Sequence, residues 1–320
     1  MSDPFFLLGK RLAPRTRARY SSAVSKFLLY YDLSRNELLS FRERSSDLSD
    51  LDRFLCNYVH YIFAKEKGAG RGQAECALYG VLSLYVPRAR GKLFLTQEAL
   101  AGWKKQKPPA ARPPLIRAVV FKTAEWLWQR GKLLEGVAVL LTFGAFLRIS
   151  ELVNLQVEDI ALGENSLTRA RGVHIRQAKT GENQFAEVRD PQIMKIVRYW
   201  LKLSGAREGE PAFPVSQREL RLSLRDALQG LRVVLPGATF HSLRHGAATQ
   251  ARLDGETILA VMERGRWAAS KSAKLYIKRS MVLGLIQKLP QNVIERGKAL
   301  ESEEALVHTF KENLSSKRRA

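Results

Sequence analysis

One stretch limits the architecture more than any other. Residues 104–114, Lys-Lys-Gln-Lys-Pro-Pro-Ala-Ala-Arg-Pro-Pro, hold four prolines and four basic residues in eleven positions. Proline fixes φ and lacks an N–H, so the run reads as an extended basic linker, neither helix nor central strand. A chain of 320 residues then divides into two domains. Both are basic: residues 1–114 carry 20 Lys/Arg against 10 Asp/Glu, and the remainder 33 against 21. The formal net charge of +22 implies a polyanionic partner, nucleic acid first and an anionic membrane second. Two basic domains on a short linker would close around a duplex as a clamp. A generally basic soluble protein is the plain alternative.

Composition excludes several classes. Hydrophobic residues make up 45% of the chain, enough for real cores. Cys56 and Cys76 have neither metal spacing nor a disulfide framework, which fits a reducing compartment. The five His are scattered, so no metal site is expected. Asp3 and Pro4 precede only four apolar residues, too few for a signal peptide. The longest apolar run, Val137–Leu147, is half a membrane span. The expectation is a soluble, intracellular protein with no membrane partner and no small-molecule cofactor.

Residues 1–103 read as a helical bundle. Tyr20, Val24, Phe27, Leu28 and Tyr31 form an apolar stripe, with Arg15, Arg17 and Arg19 placed ahead of it to touch phosphates. Further helices are expected over Leu51–Phe63, over Ala74–Leu84, and from Thr96 as N-cap through Trp103, making four in all. Lys104, Lys105 and Lys107 add basic charge at the linker. Gly68-Ala-Gly-Arg-Gly72 is a loop without the strand–helix context of a phosphate cradle.

Residues 115–282 read as mixed. Val137–Leu147 is apolar enough to be a buried helix. Gln156–Ile160 and Val173–Ala178 look like strands, and Phe185–Arg189 like a return strand after a turn at residues 179–184. Helices follow near Gln217–Gln229, Ser242–Leu253, Glu256–Glu263 and Ser270–Val282. Residues 283–320 form a tail with an amphipathic helical stretch over Val293–Asn313. The fold class is mainly α with a small antiparallel β-sheet (α+β).

Four places in this half invite chemistry. Arg148 ends the apolar element, and Glu151, three residues on, can hold its guanidinium; alone, this is equally an ordinary structural pair. His241 and Arg244 share one face of a first helical turn, where backbone N–H groups favour an anion; alone, they are a satisfied His and a solvated Arg. Tyr276 lies in a basic helix after Gly265-Arg-Trp267, where cations would favour phenolate; alone, it is a core aromatic. Lys179 sits in the hairpin turn, within reach of a groove or simply in water.

Taken in order, these residues resemble one family. Phe-Leu-Arg-Ile-Ser-Glu-Leu-Val-Asn-Leu at 146–155, Lys179 in a hairpin, His241-Ser-Leu-Arg244, and Trp267 nine residues before Tyr276 are similar to the tyrosine site-specific recombinases, the phage integrase family. The resemblance covers about 115–282; the helical half matches only in position and type. It implies a core-binding domain followed by a catalytic domain, acting on double-stranded DNA as a synaptic tetramer. It implies that Arg148 and Arg244 grip one phosphate and that Tyr276 attacks it to form a 3′-phosphotyrosyl link. Lys179 would protonate the leaving 5′ oxygen, His241 would move the nucleophile's proton, Trp267 would replace a second His, and Glu151 would support the arginines. No ATP or metal is needed, because the covalent link stores the phosphodiester bond.

Where most members have Leu-Gly-His, this chain has Arg264-Gly-Arg-Trp267, with Arg266 extra. That variant resembles recombinases of certain eukaryotic retrotransposons, and points to a mobile-element origin and with it a nuclear site of action, the cytoplasm or nucleoid being the alternative. The tail resembles an extension that docks on a neighbouring subunit; folding back on its own domain is the alternative. A catalytically silent DNA-binding regulator and a type IB topoisomerase are the competing functions.

Overall fold

The computed structural model describes residues 12–319 apart from 44–47, 109–111, 164–169, 179–180, 271–272, 275–276 and 278. The chain forms two compact units, residues 1–110 and 111–320.

In the first unit the described helices are α1 (Pro14–Tyr31), α2 (Arg35–Glu43), α3 (Ser49–Lys65), α4 (Arg71–Gly80), continued by a π turn, and α5 (Phe94–Gln106). The stripe of α1 buries Val24, Phe27 and Leu28 against Leu51, Leu55 and Tyr58 of α3 and Leu78 of α4. Five helices thus stand where four were expected. The missed one, α2, has only Leu38 and Phe41 as buried anchors, too few to show periodicity. Its start was nevertheless written in the sequence. Glu37 accepts from the Ser34 N–H at 2.7 Å, and the Ser34 hydroxyl accepts from the Glu37 N–H at 3.2 Å, a capping box.

Two expectations fail around α5. Thr96 is not its N-cap, because the helix starts two residues earlier and its first N–H groups are satisfied from another helix. The buried carboxylate of Asp52, on α3, accepts from the N–H of Leu95 at 2.8 Å, the N–H of Thr96 at 2.9 Å and the Thr96 hydroxyl at 2.7 Å. The linker also begins later than its composition implied. Lys104 and Lys105 form the last turn of α5, anchored by buried Trp103, whose indole donates to the Gly68 carbonyl at 3.0 Å. Helix proceeds until proline forbids it, not until charge accumulates.

The second unit runs α6 (Arg117–Trp128), α7 (Leu133–Gly144), α8 (Ile149–Val153), a 3-10 turn (Val157–Asp159), β1 (Ile160–Leu162), β2 (Arg171–Ala178), β3 (Gly181–Glu187), α9 (Pro191–Ser204), α10 (Gln217–Gly230), α11 (Phe240–Leu253), α12 (Ile258–Gly265), α13 (Arg279–Ile286), α14 (Gln291–Ala299) and α15 (Ala305–Arg319). Helix α7 is buried along residues 136–144, as its apolarity demands, and packs on α6, α9, α10 and α11. The three strands form an antiparallel sheet in the order β1-β2-β3. Fold class and sheet are those expected from the sequence, and the details differ. Gln156–Asp159 is mostly 3-10 turn, because the Asp159 carboxylate accepts from the Gln156 N–H at 2.9 Å and curls the chain. The hairpin is tighter than a turn over 179–184. Pairing runs from Gly172↔Glu187 to Ala178↔Gly181, with Asn183 accommodated at φ 52.

The end of the linker and the tail both belong to this core. Pro113, Pro114 and Leu115 are buried, and the Leu115 N–H donates to the Ser242 carbonyl at 3.0 Å. Gly246 makes that approach possible, since a Cβ there would lie 1.7 Å from the Leu115 carbonyl oxygen. The tail is two helices, broken at residues 300–304, and it folds back on its own unit. Phe310 meets Trp128 edge-on with ring centroids 5.0 Å apart, and Arg296 pairs with buried Glu125 at 2.6 Å.

Candidate active site

Helix α7 ends with an abrupt reversal. Phe146 takes φ 51, a left-handed conformation that side chains resist, and this aims the Phe146 carbonyl at two arginines. Arg148 follows as N-cap of the short α8. Its backbone N–H donates to Glu151 Oε2 at 2.8 Å, and its Nη1 donates to Glu151 Oε1 at 2.5 Å. The i, i+3 spacing therefore does what the sequence implied, and it also makes Glu151 the cap of its own helix. The Glu151 side chain is 3% exposed and that of Arg148 is 19%.

Arg244 arrives from α11, whose first turn is fixed by the Ser242 hydroxyl accepting from the Thr239 N–H at 3.1 Å. Arg244 has no exposed surface. Its Nη1 donates to the Phe146 carbonyl at 2.5 Å, its Nη2 donates to the Gly265 carbonyl, and Nη1 lies 3.8 Å from Glu151 Oε2. Arg148 and Arg244, far apart in sequence, thus share one carboxylate. Trp267 is also brought here: Arg244 Cζ stands 4.8 Å from the centroid of its ring. Gly265 leaves room for that ring, since a Cβ would come within 1.9 Å of it.

Arg266, an extra cation in the sequence, joins the cluster in the structure. It caps α12 in the left-handed conformation at φ 55. Its buried guanidinium donates to Glu151 Oε2 at 2.7 Å and to the carbonyls of Ala145 and Phe146 at 3.3 Å each. Nothing in local spacing announces this, because the partner lies 115 residues earlier. The one available signal is that two arginines, Arg264 and Arg266, flank Gly265 with a single nearby acid, Glu263. Burial raises the Glu151 pKa, but Arg266 and Arg148 more than offset this and leave the carboxyl below its usual range. The carboxylate therefore stays charged at neutral pH.

His241 stands half-buried on the same first turn of α11, its ring 5.1 Å from that of His245. Burial first, then the charges of His245, Arg112, Arg244 and Arg148, push its pKa down to about 4. It is neutral near pH 7 and able to accept a proton. Lys179 and Tyr276 lie outside the described residues. Arg15, Arg17 and Arg19 are exposed on α1, but only Arg15 and Arg19, one turn apart, share a face. Lys104, Lys105 and Lys107 are exposed at the end of α5 and just beyond. Among the described residues no helix is long and apolar enough to cross a membrane.

Comparison with known proteins bears on the family and the fold. Residues 127–281 match the phage integrase family. The tyrosine recombinase XerA of Pyrococcus horikoshii is 27% identical over 179 residues, covering 52% of this chain and 56% of the relative, little more than half its length. A lambda integrase tetramer bound to a Holliday junction aligns with a TM-score of 0.58 at 16% identity, over 85% of this chain and 74% of that one. A lambda integrase dimer bound to a COC′ core site aligns with a TM-score of 0.55 at 15% identity, over 86% and 74%. These two likenesses establish the fold. The matched segment spans α7, the sheet and α12, and holds the whole Glu151 cluster, so it is through its second unit that the chain is similar to the phage integrase family of tyrosine site-specific recombinases.

Proposed function

We propose that the chain is a site-specific DNA recombinase that cuts and rejoins strands through a 3′-phosphotyrosyl intermediate, without metal or ATP. One observation carries this reading: Arg148 and Arg244, from segments nearly a hundred residues apart, converge on Glu151 inside the family-matched segment. Phosphoryl transfer places charge on the non-bridging oxygens, and fixed guanidiniums are the means of stabilising it. In the proposed cycle Tyr276 attacks phosphorus and its phenolic proton passes to neutral His241. The 5′ oxygen leaves with a proton from Lys179, and the phosphodiester is conserved as the tyrosyl ester. Trp267 buttresses Arg244. Re-ligation is the reverse attack by a 5′ hydroxyl.

Double-stranded DNA is the proposed partner, consistent with +22 net charge. The lambda integrase neighbour is a tetramer on a Holliday junction, which supports the same assembly here. The Gly-Arg-Trp267 variant is consistent with a mobile-element enzyme acting in a nucleus.

The test is covalent capture. A pool of nicked duplexes of random sequence is first enriched by binding to the wild-type protein, then tested for a denaturant-resistant adduct. Wild type forms the adduct, and Tyr276→Phe binds equally but forms none. Persistent failure of the wild type on enriched duplexes sinks the recombinase reading. That result would favour a silent DNA-binding regulator, the second reading, for which the complete burial of Arg244 speaks. Relaxation of unrelated plasmids without synapsis would instead indicate a type IB topoisomerase.

A further inference from the structure

The Glu151 cluster contains one more guanidinium than the phosphate-gripping pair requires. Arg266 occupies the C-cap of α12 at φ 55, where glycine is the favoured residue. A long side chain at such a point normally turns to water. This one turns inward, is 3% exposed, and joins three segments: the end of α7 at Ala145 and Phe146, the start of α8 at Glu151, and its own turn beside Trp267.

We propose that Arg266 is a positioning residue that holds Glu151 so that Arg148 and Arg244 stay aligned with their positive charge uncancelled. The proposal rests on the recombinase reading above. The carboxylate has two oxygens. Oε1 takes the Arg148 side chain, while Oε2 takes the Arg148 backbone and Arg266, and has Arg244 only at 3.8 Å. With Arg266 in place, three guanidiniums around one carboxylate leave a surplus of two positive charges. Without it the surplus is one, and Oε2 becomes the natural partner of Arg244. That guanidinium would then be drawn from the Phe146 and Gly265 carbonyls, and the Trp267 ring over it would lose its seat. Arg266 is enclosed, so it acts through these residues and not on DNA directly.

Glycine suits the left-handed turn, so Arg266→Gly removes the guanidinium while favouring the backbone, and Arg266→Lys restores charge without the fork. The probe is the same enriched pool of nicked duplexes. At saturating DNA, R266G is expected to slow adduct formation by roughly tenfold or more, while half-saturation shifts by less than about threefold. R266K recovers part of the rate. A methylphosphonate at the cleaved position, lacking one non-bridging charge, narrows the gap between R266G and wild type, which a purely structural role would not do. Independently of catalysis, Glu151→Gln lowers the melting temperature less in R266G than in wild type, because the two side chains are one network. Wild-type rates in R266G, equal losses of rate and binding, or additive melting shifts each overturn the inference while leaving the recombinase reading intact. Absence of any wild-type adduct instead removes that reading and this inference with it.

Discussion

Both units bury a carboxylate beside an α-helix start, Asp52 in the first and Glu151 in the second, and the two are built differently. Asp52, 6% exposed, caps α5 from a neighbouring helix with two backbone N–H donors and a hydroxyl. Its donors are neutral, and the helix dipole balances its charge. Glu151, 5% exposed, caps α8 but is ringed by Arg148, Arg266 and Arg244. A structural cap needs one negative charge and finds it locally compensated. The second arrangement leaves an excess of buried positive charge, which is expensive unless an anion arrives. That imbalance marks a candidate site, whereas the Asp52 cap is locally neutral.

The contrast can be tested at several strengths. The largest effect is expected from Glu151→Gln, which strands three guanidiniums and should destabilise the second unit by about 3–5 kcal/mol in urea unfolding; a loss no greater than at a surface site would dissolve the comparison. Asp52→Ala comes next, at about 1–3 kcal/mol, confined to the first unit because it exposes only neutral donors. Equal effects of the two would show that the extra cations carry no energetic weight.

A third test uses pH. His241 has a folded pKa of about 4 against an ordinary value near 6.5. Its contribution to stability is therefore fully present above pH 6.5, and is lost as pH falls through that window toward 4. Asp190 and Glu301, whose pKa values are raised chiefly by burial, act in the opposite sense. The measure is accordingly the difference in melting temperature between wild type and His241→Gln, which should diminish on acidification. A difference independent of pH would mean that the imidazole is not held neutral. The smallest effect concerns the first unit as a DNA-binding face. Arg15→Ala with Arg19→Ala should reduce the salt slope of DNA binding by about 2, and Arg17→Ala by less, because it faces away. Equal slopes for all three positions would remove the proposed face.

Much of this was legible in the chain. The apolarity of Val137–Leu147 dictates a buried helix, and Arg148 with Glu151 at i, i+3 dictates a local pair, because both depend on neighbours within one turn. The capping box at Ser34 and Glu37 is equally local, but no apolar periodicity follows it to mark a helix. Thr96 misled because its helix is capped by Asp52, 44 residues away. Gly181 and Asn183 look like turn residues, yet ladder pairing carries the strands to Ala178↔Gly181.

Sequence alone determined the two-part division, the positive charge, the helical character and the candidate cationic groups, all of which depend on composition or on spacing along the chain. Tertiary structure decided which of those groups share a carboxylate. A left-handed Phe146 turns its carbonyl to Arg244, and a left-handed Arg266 sends its guanidinium to Glu151. Such contacts depend on how helix ends meet in space, and a long side chain at a helix end has no partner until the fold supplies one.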